Sequence, residues 1–560
     1  MSFIASFFCS NVVDLVIDAQ LDDGELTAET QATLKRLDDS VTMIAVLTNP
    51  AVSIEKNNNP KTDTDVRTED INLGWEKTGD EFGDWKKSRV KQIDHRISRN
   101  FSTTILGEDD LFSKYTFIEK LTGIALRNRI ILPLDDSDKQ LDGDEQAAAL
   151  LKDLKLTEGQ ALPETYNTDF NMNTDESFSR IFFYGMGSVL LVKQETVSDS
   201  EFGPFVVAMP LQDLKTRSLY RPYGARIHFS EDQKVTAIYD YAWKKLVKPG
   251  DGGWEEAKML AKVTSLILMT AREHLTWTHL IASNTATRES TLKLAPSHPI
   301  RRLLTVFTFG STEVNLGAFD NLVPNTSILH RGVGFKYSAM KKVFDMAYTS
   351  CTVYEPFADK KYNPALQKLS DEGKFPYISE GAEYFEIVRS LVRDWLEKAG
   401  DAATDEQAKA FYEAVKDSSK DQKYVIPEMN TEDAMVNLLS QIIFTVTAYH
   451  ELIGHVIDYT ILPSRAGFRL TKDNPSQIDL QSYLLASIIT ASTSIKMPDL
   501  MKSFGNFFGV GGAPAWETTV WADFQSKLGA QSKKVKAADA KRVVEFKYFD
   551  PERFECSVSV

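Results

Sequence analysis

The chain is poor in cysteine and in basic residues. Among its 560 residues, only Cys9, Cys351 and Cys556 are cysteines, and none belongs to a CxxC pair. So sparse and odd a set does not build a disulfide framework and indicates a reducing, cytoplasmic compartment. The 64 Lys and Arg residues are outnumbered by 79 Asp and Glu, giving a formal charge of −15. Binding to phosphate backbones requires clustered cations, so nucleic acid is not an expected partner.

The sequence also lacks long hydrophobic runs. None reaches the roughly 18 apolar residues that a membrane-spanning helix needs, so no transmembrane segment is predicted. The first residues, MSFIASFFCSNVVDL, carry no Lys or Arg before their apolar stretch, which argues against a secretory signal. Apolar residues make up 42 % of the chain and charged residues 26 %. This composition is typical of a folded globular protein.

Helix-breaking residues are rare in two segments. Residues 254–288 contain no Pro or Gly, and residues 431–459 follow a capping-box pattern and end before Pro463. Both segments are apolar over most of their circumference, which is typical of helices buried on all sides. β-like runs occur only near 203–210 and 225–240. We therefore predict a mainly α fold with two long, central, buried helices and a small β portion.

Four of the eight histidines lie in these two helices, as His274-x4-His279 and His450-x4-His455. A lone buried histidine is more often a hydrogen-bonded core residue than a metal ligand. Two pairs favour a metal, because one ion satisfies several buried imidazoles at once. Residues five apart lie about 140° apart around an α-helix. A shared ion therefore requires a π-bulge between His274 and His279, a feature common at functional sites.

The sequence HELIGH suggests a rival, the zinc hydrolase motif HExxH. In that motif the two histidines are four residues apart and the glutamate acts as a base. Here the spacing between His450 and His455 is one residue longer, so Glu451 does not have the geometry of that motif.

The order of several motifs resembles the core of lipoxygenases. Residues 254–279 read W-x2-AK-x15-H-x4-H, and HPIRRLL begins nineteen residues after His279. Upstream, Asp175-x2-Phe178 followed by Gly185 is similar to the start of the lipoxygenase catalytic domain. Downstream, TEVNLGAFDNLVPNTSILHRGVGF at 312–335 resembles a channel-lining segment, and YFDPERFECSVSV resembles the family's C-terminus, with Val in place of the usual Ile.

The resemblance covers roughly residues 175–560, which are predicted to form the catalytic domain. Residues 1–174 show no similarity that we recognise, including none to a β-sandwich lipid-binding domain. We expect them to form a helical and loop region packed on the catalytic domain.

The resemblance implies a metal centre whose ligands, and catalytic residues, are His274, His279, His450 and the main-chain carboxylate of Val560. Such nitrogen and oxygen donors suit one non-haem Fe per chain, with Mn as the alternative. Where the family usually has Asn, His or Ser as a further ligand, this chain has Gly454. Either water fills that position or His455 turns in through a second π-bulge. We favour His455. The implied substrate channel is lined by Leu280, Asn315, Ala318, Phe319 and Leu322.

The implied activity is that of a dioxygenase. A metal(III)-bound hydroxide would abstract hydrogen from a polyunsaturated fatty acid, and O2 would add to give a hydroperoxide. Two alternatives stay open. The altered ligand set could support another oxidation or rearrangement of an unsaturated substrate, or the fold could serve binding without redox turnover.

Overall fold

The computed structural model describes residues 68–77, 85–93, 173–193, 201–295, 297–309, 328–350, 364–419, 426–456, 467–473, 514–542 and 544–558, with isolated positions between them. Most of the predicted N-terminal region, 1–174, lies outside the described residues. Within it the structure has two antiparallel strands, β1 (Thr68–Lys77) and β2 (Trp85–Ile93). The sequence analysis gave no indication of this pair.

A four-stranded antiparallel sheet forms the rest of the described β structure. Its strands, in the order β3-β4-β5-β6, are Phe205–Met209, Ala225–Phe229, Val235–Asp240 and Lys245–Val247. The predicted β-like runs near 203–210 and 225–240 are thus confirmed, although the second one divides into two strands. The dividing turn includes Gln233 in the left-handed region, at φ 62°. The Ser230 N–H donates to the carbonyl of Lys234 across this turn, at 2.9 Å.

Helices make up most of the remaining structure, as the sequence predicted. Outside the two histidine-bearing helices they are Asp175–Phe183, Ser188–Val192, Pro299–Phe307, Ile328–Gly332, Tyr337–Ser350, Pro364–Asp371, Pro376–Ala399, Glu406–Ser418 and Ala515–Asp539, with 3₁₀ turns at Gly400–Ala403 and Lys547–Phe549. Among the described residues, no helix is long and apolar enough to cross a membrane.

The first histidine helix, residues 254–293, is continuous. It begins as an α-helix at Trp254–Ile267, widens to a π-helix over Leu268–Ser283 and returns to α at Asn284–Lys293. Its start is fixed by Asp175, whose Oδ1 accepts from Trp254 Nε1 at 2.7 Å and from Lys258 Nζ at 2.8 Å. The similarity to lipoxygenases at Asp175 and at W-x2-AK therefore has a physical basis, because these residues bind one another.

The second histidine helix, residues 434–454, is shorter than predicted. It comprises Ala434–Phe444, a π segment at Thr445–Tyr449 and an α turn at His450–Gly454. The capping-box prediction at Thr431 and Glu432 is wrong, because the N-cap is Asp433, at φ 59° and without a side-chain cap bond. The Asp433 carboxylate instead pairs with Arg389 and Arg393 of the helix Pro376–Ala399.

The core surrounds both histidine helices. The first helix packs its π-helical part against Tyr337–Ser350 and against the turn His450–Gly454. The helix Pro376–Ala399 lies between Ala434–Phe444 and Ala515–Asp539. Gly185 belongs to the same core, where a side chain would collide with the hydroxyl of Tyr459. That hydroxyl accepts from the Met186 N–H at 3.0 Å, which explains the glycine at this position.

Candidate metal centre

Three imidazoles from the two histidine helices meet at one point. The Nε2 atom of His274 lies 2.9 Å from that of His450 and 3.2 Å from that of His279. The Nε2 atoms of His279 and His450 are also 3.2 Å apart. Among the described residues, these three histidines form the group of metal-binding side chains that lie close enough together to hold an ion. The structure therefore brings together the three histidines that the sequence singled out.

The π-helix is what allows two of these histidines to share a point. The predicted π conformation between His274 and His279 is present, and it extends over sixteen residues rather than one bulge. Two threonine hydroxyls support the wider turns, since Thr276 and Thr278 bond the carbonyls five residues earlier, at 2.6 and 2.9 Å. In the adjoining α-helical part, Thr287 bonds the carbonyl four residues earlier.

Asn315 fixes the proton position on His279. Its Nδ2 donates to the His279 carbonyl at 2.9 Å and to Asn284 Oδ1 at 2.7 Å. Its Oδ1 is consequently the atom that faces His279 Nδ1, at 2.9 Å, and it can only accept. The proton of the neutral imidazole must therefore be on Nδ1, which leaves a lone pair on Nε2. Asn315 was predicted to line the substrate channel, and the structure places its amide against a candidate ligand.

Burial keeps the three imidazoles neutral. It lowers the pKa of His279 to about 4, despite the opposing effect of the hydrogen bond that His279 donates to Asn315. The pKa values of His274 and His450 lie well below the ordinary range, because burial disfavours the charged form and the neighbouring histidines add repulsion. Neutral imidazole is the form that binds metal ions.

The spacing of the three nitrogen atoms fits a cation. Each neutral imidazole has one N–H, and that of His279 is on the other nitrogen, so hydrogen bonding cannot satisfy all three contacts. Two donors that each lie about 2.1 Å from an ion are about 3.0 Å apart at a right angle and about 3.4 Å apart at a tetrahedral angle. The observed distances of 2.9 to 3.2 Å fall close to this range, so the three nitrogen atoms are near enough to share one ion.

A buried ionic cluster lies directly beside the histidines. The carboxylate of Glu273 is fully buried and accepts from Lys193 Nζ at 2.6 and 2.7 Å, from Arg272 Nε at 2.9 Å and from the Tyr449 hydroxyl at 2.6 Å. Burial raises the pKa of Glu273, but Lys193 and Arg272 outweigh burial and lower it to about 2. Because Glu273 precedes His274 and Tyr449 precedes His450, their bond ties the two helices together beside the site.

The sequence analysis missed this cluster, although a signal was present. Glu273 is the only acidic residue between Glu256 and Glu289 of an otherwise apolar helix. A buried carboxylate requires charged or hydrogen-bonding partners.

His455 is not part of the cluster. Its Nδ1 lies 3.0 Å from the Glu451 carbonyl and 3.3 Å from Glu451 Oε1. The π segment that His455 would need lies before His450, whereas residues 450–454 are α-helical. Gly454, in contrast, faces the cluster, because a Cβ at this position would lie 3.3 Å from His274 Nε2.

The other predicted site residues are less informative. Leu280 is buried, while Ala318 and Leu322 are partly buried against the core. Phe319 and Val560 lie outside the described residues. A surface cleft of about 650 Å³, lined by residues including Tyr184 and Arg542, contains none of the predicted site residues.

The chain near Val560 is buried. Phe554, Cys556, Ser557 and Val558 have no exposed surface, and the Ser557 hydroxyl donates to the carbonyl of Phe309. One residue, Ser559, separates this buried stretch from Val560, the predicted carboxylate ligand.

Solved structures of lipoxygenases share this architecture. A coral 8R-lipoxygenase superposes with a TM-score of 0.66 at 14 % identity, covering 96 % of this chain and 82 % of the coral chain. A lipoxygenase variant in complex with arachidonate also gives a TM-score of 0.66 at 14 % identity, with the same coverage of both chains, 96 % and 82 %. A fungal lipoxygenase from Fusarium graminearum has a TM-score of 0.61 at 15 % identity, covering 80 % of this chain and 90 % of its own.

No protein-family profile matches the sequence. No curated protein sequence matches it either. The structural likeness nevertheless defines the class: the chain has the mainly helical fold of lipoxygenases.

Proposed function

We propose that this protein is a lipoxygenase-type dioxygenase that inserts O2 into a polyunsaturated fatty acid to give a hydroperoxide. The observation that carries the proposal is the convergence of His274, His279 and His450 through Nε2 within the fold of lipoxygenases. A bound non-haem Fe, or Mn, would supply the one-electron chemistry that removes hydrogen from an activated methylene. The complex of a similar structure with arachidonate supports a fatty acid as substrate. A cytoplasmic location stays a prediction.

The chain's own residues prepare this chemistry. His274, His279 and His450 would hold the ion, and Asn315 keeps the Nε2 lone pair of His279 available for it. Leu275 and Leu280, which directly follow His274 and His279 in the helix, are buried. A buried apolar environment of this kind excludes water and protects a radical from side reactions.

We propose the main-chain carboxylate of Val560 as a fourth donor. The burial of Val558 supports it, since a buried tail can reach the core. The proposal requires Val560 to be the C-terminal residue, so a peptide tag attached there should reduce metal content, whereas the same tag at the N-terminus should not. Full metal content with the C-terminal tag would remove Val560 from the site.

Oxygen uptake with linoleate, followed together with conjugated-diene absorbance on metal-quantified protein, tests the activity. We expect uptake and diene formation to rise in proportion to Fe or Mn content. Protein loaded with either ion that consumes no oxygen would overturn the proposed reaction.

Gly454 supports one alternative. It has no donor side chain although it faces His274 Nε2, so a lipoxygenase fold with this altered ligand set could carry out another oxidation or rearrangement of an unsaturated substrate. Consumption of a fatty-acid hydroperoxide without net oxygen uptake would favour this second function.

A further inference from the structure

The hairpin formed by β5 and β6 exposes large hydrophobic side chains. Across the described residues, four such side chains are exposed: Leu219, Trp243, Leu246 and Leu292. Two of them belong to this hairpin, Trp243 at 51 % and Leu246 at 38 % exposure. Isolated exposed apolar residues are ordinary, but a cluster of them marks an interaction surface.

The pleat of the sheet places a tyrosine on the same face as Leu246. Ile238 and Val247 face each other across the strands and are buried. The adjacent pair, Tyr239 and Leu246, must therefore face the opposite, solvent side. The ring of Tyr241 packs against that of Tyr239, with centroids 5.4 Å apart. Trp243 lies in the turn that joins the two strands, at the tip of the hairpin. We call Tyr239, Tyr241, Trp243 and Leu246 of this hairpin the aromatic patch.

Trp243 is held in its exposed position. Its backbone N–H donates to Asp240 Oδ1 at 3.0 Å, and the guanidinium of Arg221 lies 3.7 Å from its ring centroid. Arg221 and Asp240 form a buried ion pair beneath the hairpin. A side chain ordered in this way loses little conformational freedom when it binds a partner.

The hairpin itself carries exposed cations, whereas the whole chain is acidic. Lys244, Lys245 and Lys248 are exposed, and no acidic residue lies between Asp240 and Asp251. The complete chain carries −15. The hairpin thus presents three cations together with Trp, Tyr and Leu side chains.

We propose that the β5–β6 hairpin docks the protein on the surface of an anionic lipid bilayer. Trp and Tyr rings are favoured at the level of the lipid headgroups, because they have an apolar body and a polar edge. Lysines beside them are attracted to anionic headgroups. Both features occur on one rigid hairpin, and an apolar residue such as Leu246 can enter the acyl boundary between them. A protein interface would more often exclude lysine than concentrate it.

This inference is separate from the proposed metal chemistry. It concerns a surface of the four-stranded sheet and would hold for metal-free protein. If the proposed dioxygenase activity is also correct, docking would bring the enzyme to the phase in which its substrate dissolves.

Flotation of the full chain with lipid vesicles tests the proposal. We expect at least tenfold tighter binding to phosphatidylcholine vesicles containing phosphatidylserine than to phosphatidylcholine alone. Binding should weaken at about 1 M salt, where the screening length falls to about 3 Å. Metal-free and metal-loaded protein should bind equally, which separates this test from that of the activity.

Paired variants locate the surface. Trp243→Ala with Leu246→Ala, and separately Lys244→Glu with Lys245→Glu, should each weaken vesicle binding tenfold or more. Two controls match them: Leu292→Ala removes an exposed apolar side chain elsewhere, and Lys398→Glu with Lys533→Glu makes the same charge change on other helices. Both controls should bind as the unchanged protein does. The proposal would be overturned if the protein did not bind vesicles, or if the hairpin variants bound them as tightly as the unchanged protein does. Binding to a protein partner without binding to vesicles would also overturn it. Unchanged thermal unfolding of each variant establishes that it is folded.

Discussion

The two histidine helices carry the same spacing, His-x4-His, with different outcomes. In the first helix both histidines lie within a π-helix, and both Nε2 atoms join the cluster. In the second, residues 450–454 are α-helical, and His455 turns toward Glu451. The comparison teaches that spacing alone does not define a metal site, because the turn of the backbone between two residues decides whether they can share an ion.

A difference in sequence accounts for the two outcomes. Between His274 and His279, Thr276 and Thr278 bond the carbonyls five residues before them, which supports the wider π turn. The segment between His450 and His455 has no Ser or Thr, and the helix ends at Gly454. The wider turn there lies in Thr445–Tyr449 instead, directly before the histidine that joins the cluster.

The largest expected effect separates His455 from the other three histidines. His274→Ala, His279→Ala and His450→Ala should each abolish stoichiometric metal binding, since each removes one of three converging donors. His455→Ala should retain the metal, because its imidazole bonds Glu451. Elemental analysis of the four variants, purified with Fe and Mn supplied, checks this. Loss of metal in His455→Ala would mean that both pairs contribute.

The bond between Glu273 and Tyr449 tests whether the two helices act as one unit. Glu273→Gln should reduce the free energy of unfolding by roughly 3–5 kcal/mol, because Lys193 and Arg272 lose their buried counter-charge. Tyr449→Phe should reduce it by about 1.5–3 kcal/mol, the range for hydrogen bonds to charged groups. Denaturant unfolding measures both values, and metal titration should show weaker binding in both variants.

Tyr412→Phe is the matched control for that prediction. It also removes a buried hydroxyl, which bonds the carbonyl of Pro427 away from the cluster. It should leave metal affinity unchanged. If Tyr412→Phe and Tyr449→Phe weaken metal binding equally, the tie between the helices has no specific role.

Asn315 distinguishes the first helix further, because it orients one of its imidazoles. Asn315→Leu should lower metal affinity by roughly 10–100-fold, the usual effect of losing a partner that orients a ligand. Asn315→Asp keeps an acceptor for His279 Nδ1, so its metal affinity should fall less than that of Asn315→Leu. Competition titration with a chelator measures both affinities. Equal losses in the two variants would show that packing, rather than the acceptor, matters.

The smallest effect is expected at the end of the second helix. In Gly454→Ala the new Cβ would lie 3.3 Å from His274 Nε2, so the imidazole must shift by a few tenths of an ångström. Ala also favours the helix over Gly by up to about 1 kcal/mol, which opposes the loss. We expect a change in metal affinity of less than about tenfold, equivalent to 1.4 kcal/mol. Complete loss of metal in Gly454→Ala would show that the His274 imidazole cannot make this small shift.

The sequence predicted the fold where local pattern and tertiary structure agree. Both histidine helices and the strands near 203–210 and 225–240 were found from apolar patterns. The turn dividing the second β run was missed because Gln233 adopts a left-handed conformation without glycine. The start of the second helix was misplaced because ion pairs from Arg389 and Arg393 engage Asp433, and no local rule includes such long-range contacts.

The candidate site was predictable only in part, for a similar reason. The two histidine pairs, and the need for a π turn between His274 and His279, follow from spacing within apolar helices. The choice of His274, His279 and His450 among them came from the resemblance to lipoxygenases. The role of Asn315 does not, because its bond to His279 spans 36 positions. The bond between Glu273 and Tyr449 spans 176 positions, and only the fold brings these residues together.

The placement of the histidines along the chain also determines the sizes of the loops that close when the site forms. His274 and His279 meet through local helix formation, and Asn315 joins them by closing a loop of 36 residues. His450 arrives only when a loop of 176 residues closes, which costs about 1.4 kcal/mol more in chain entropy than the shorter loop. An ion bound by all three imidazoles would therefore stabilise the closure that costs the most chain entropy.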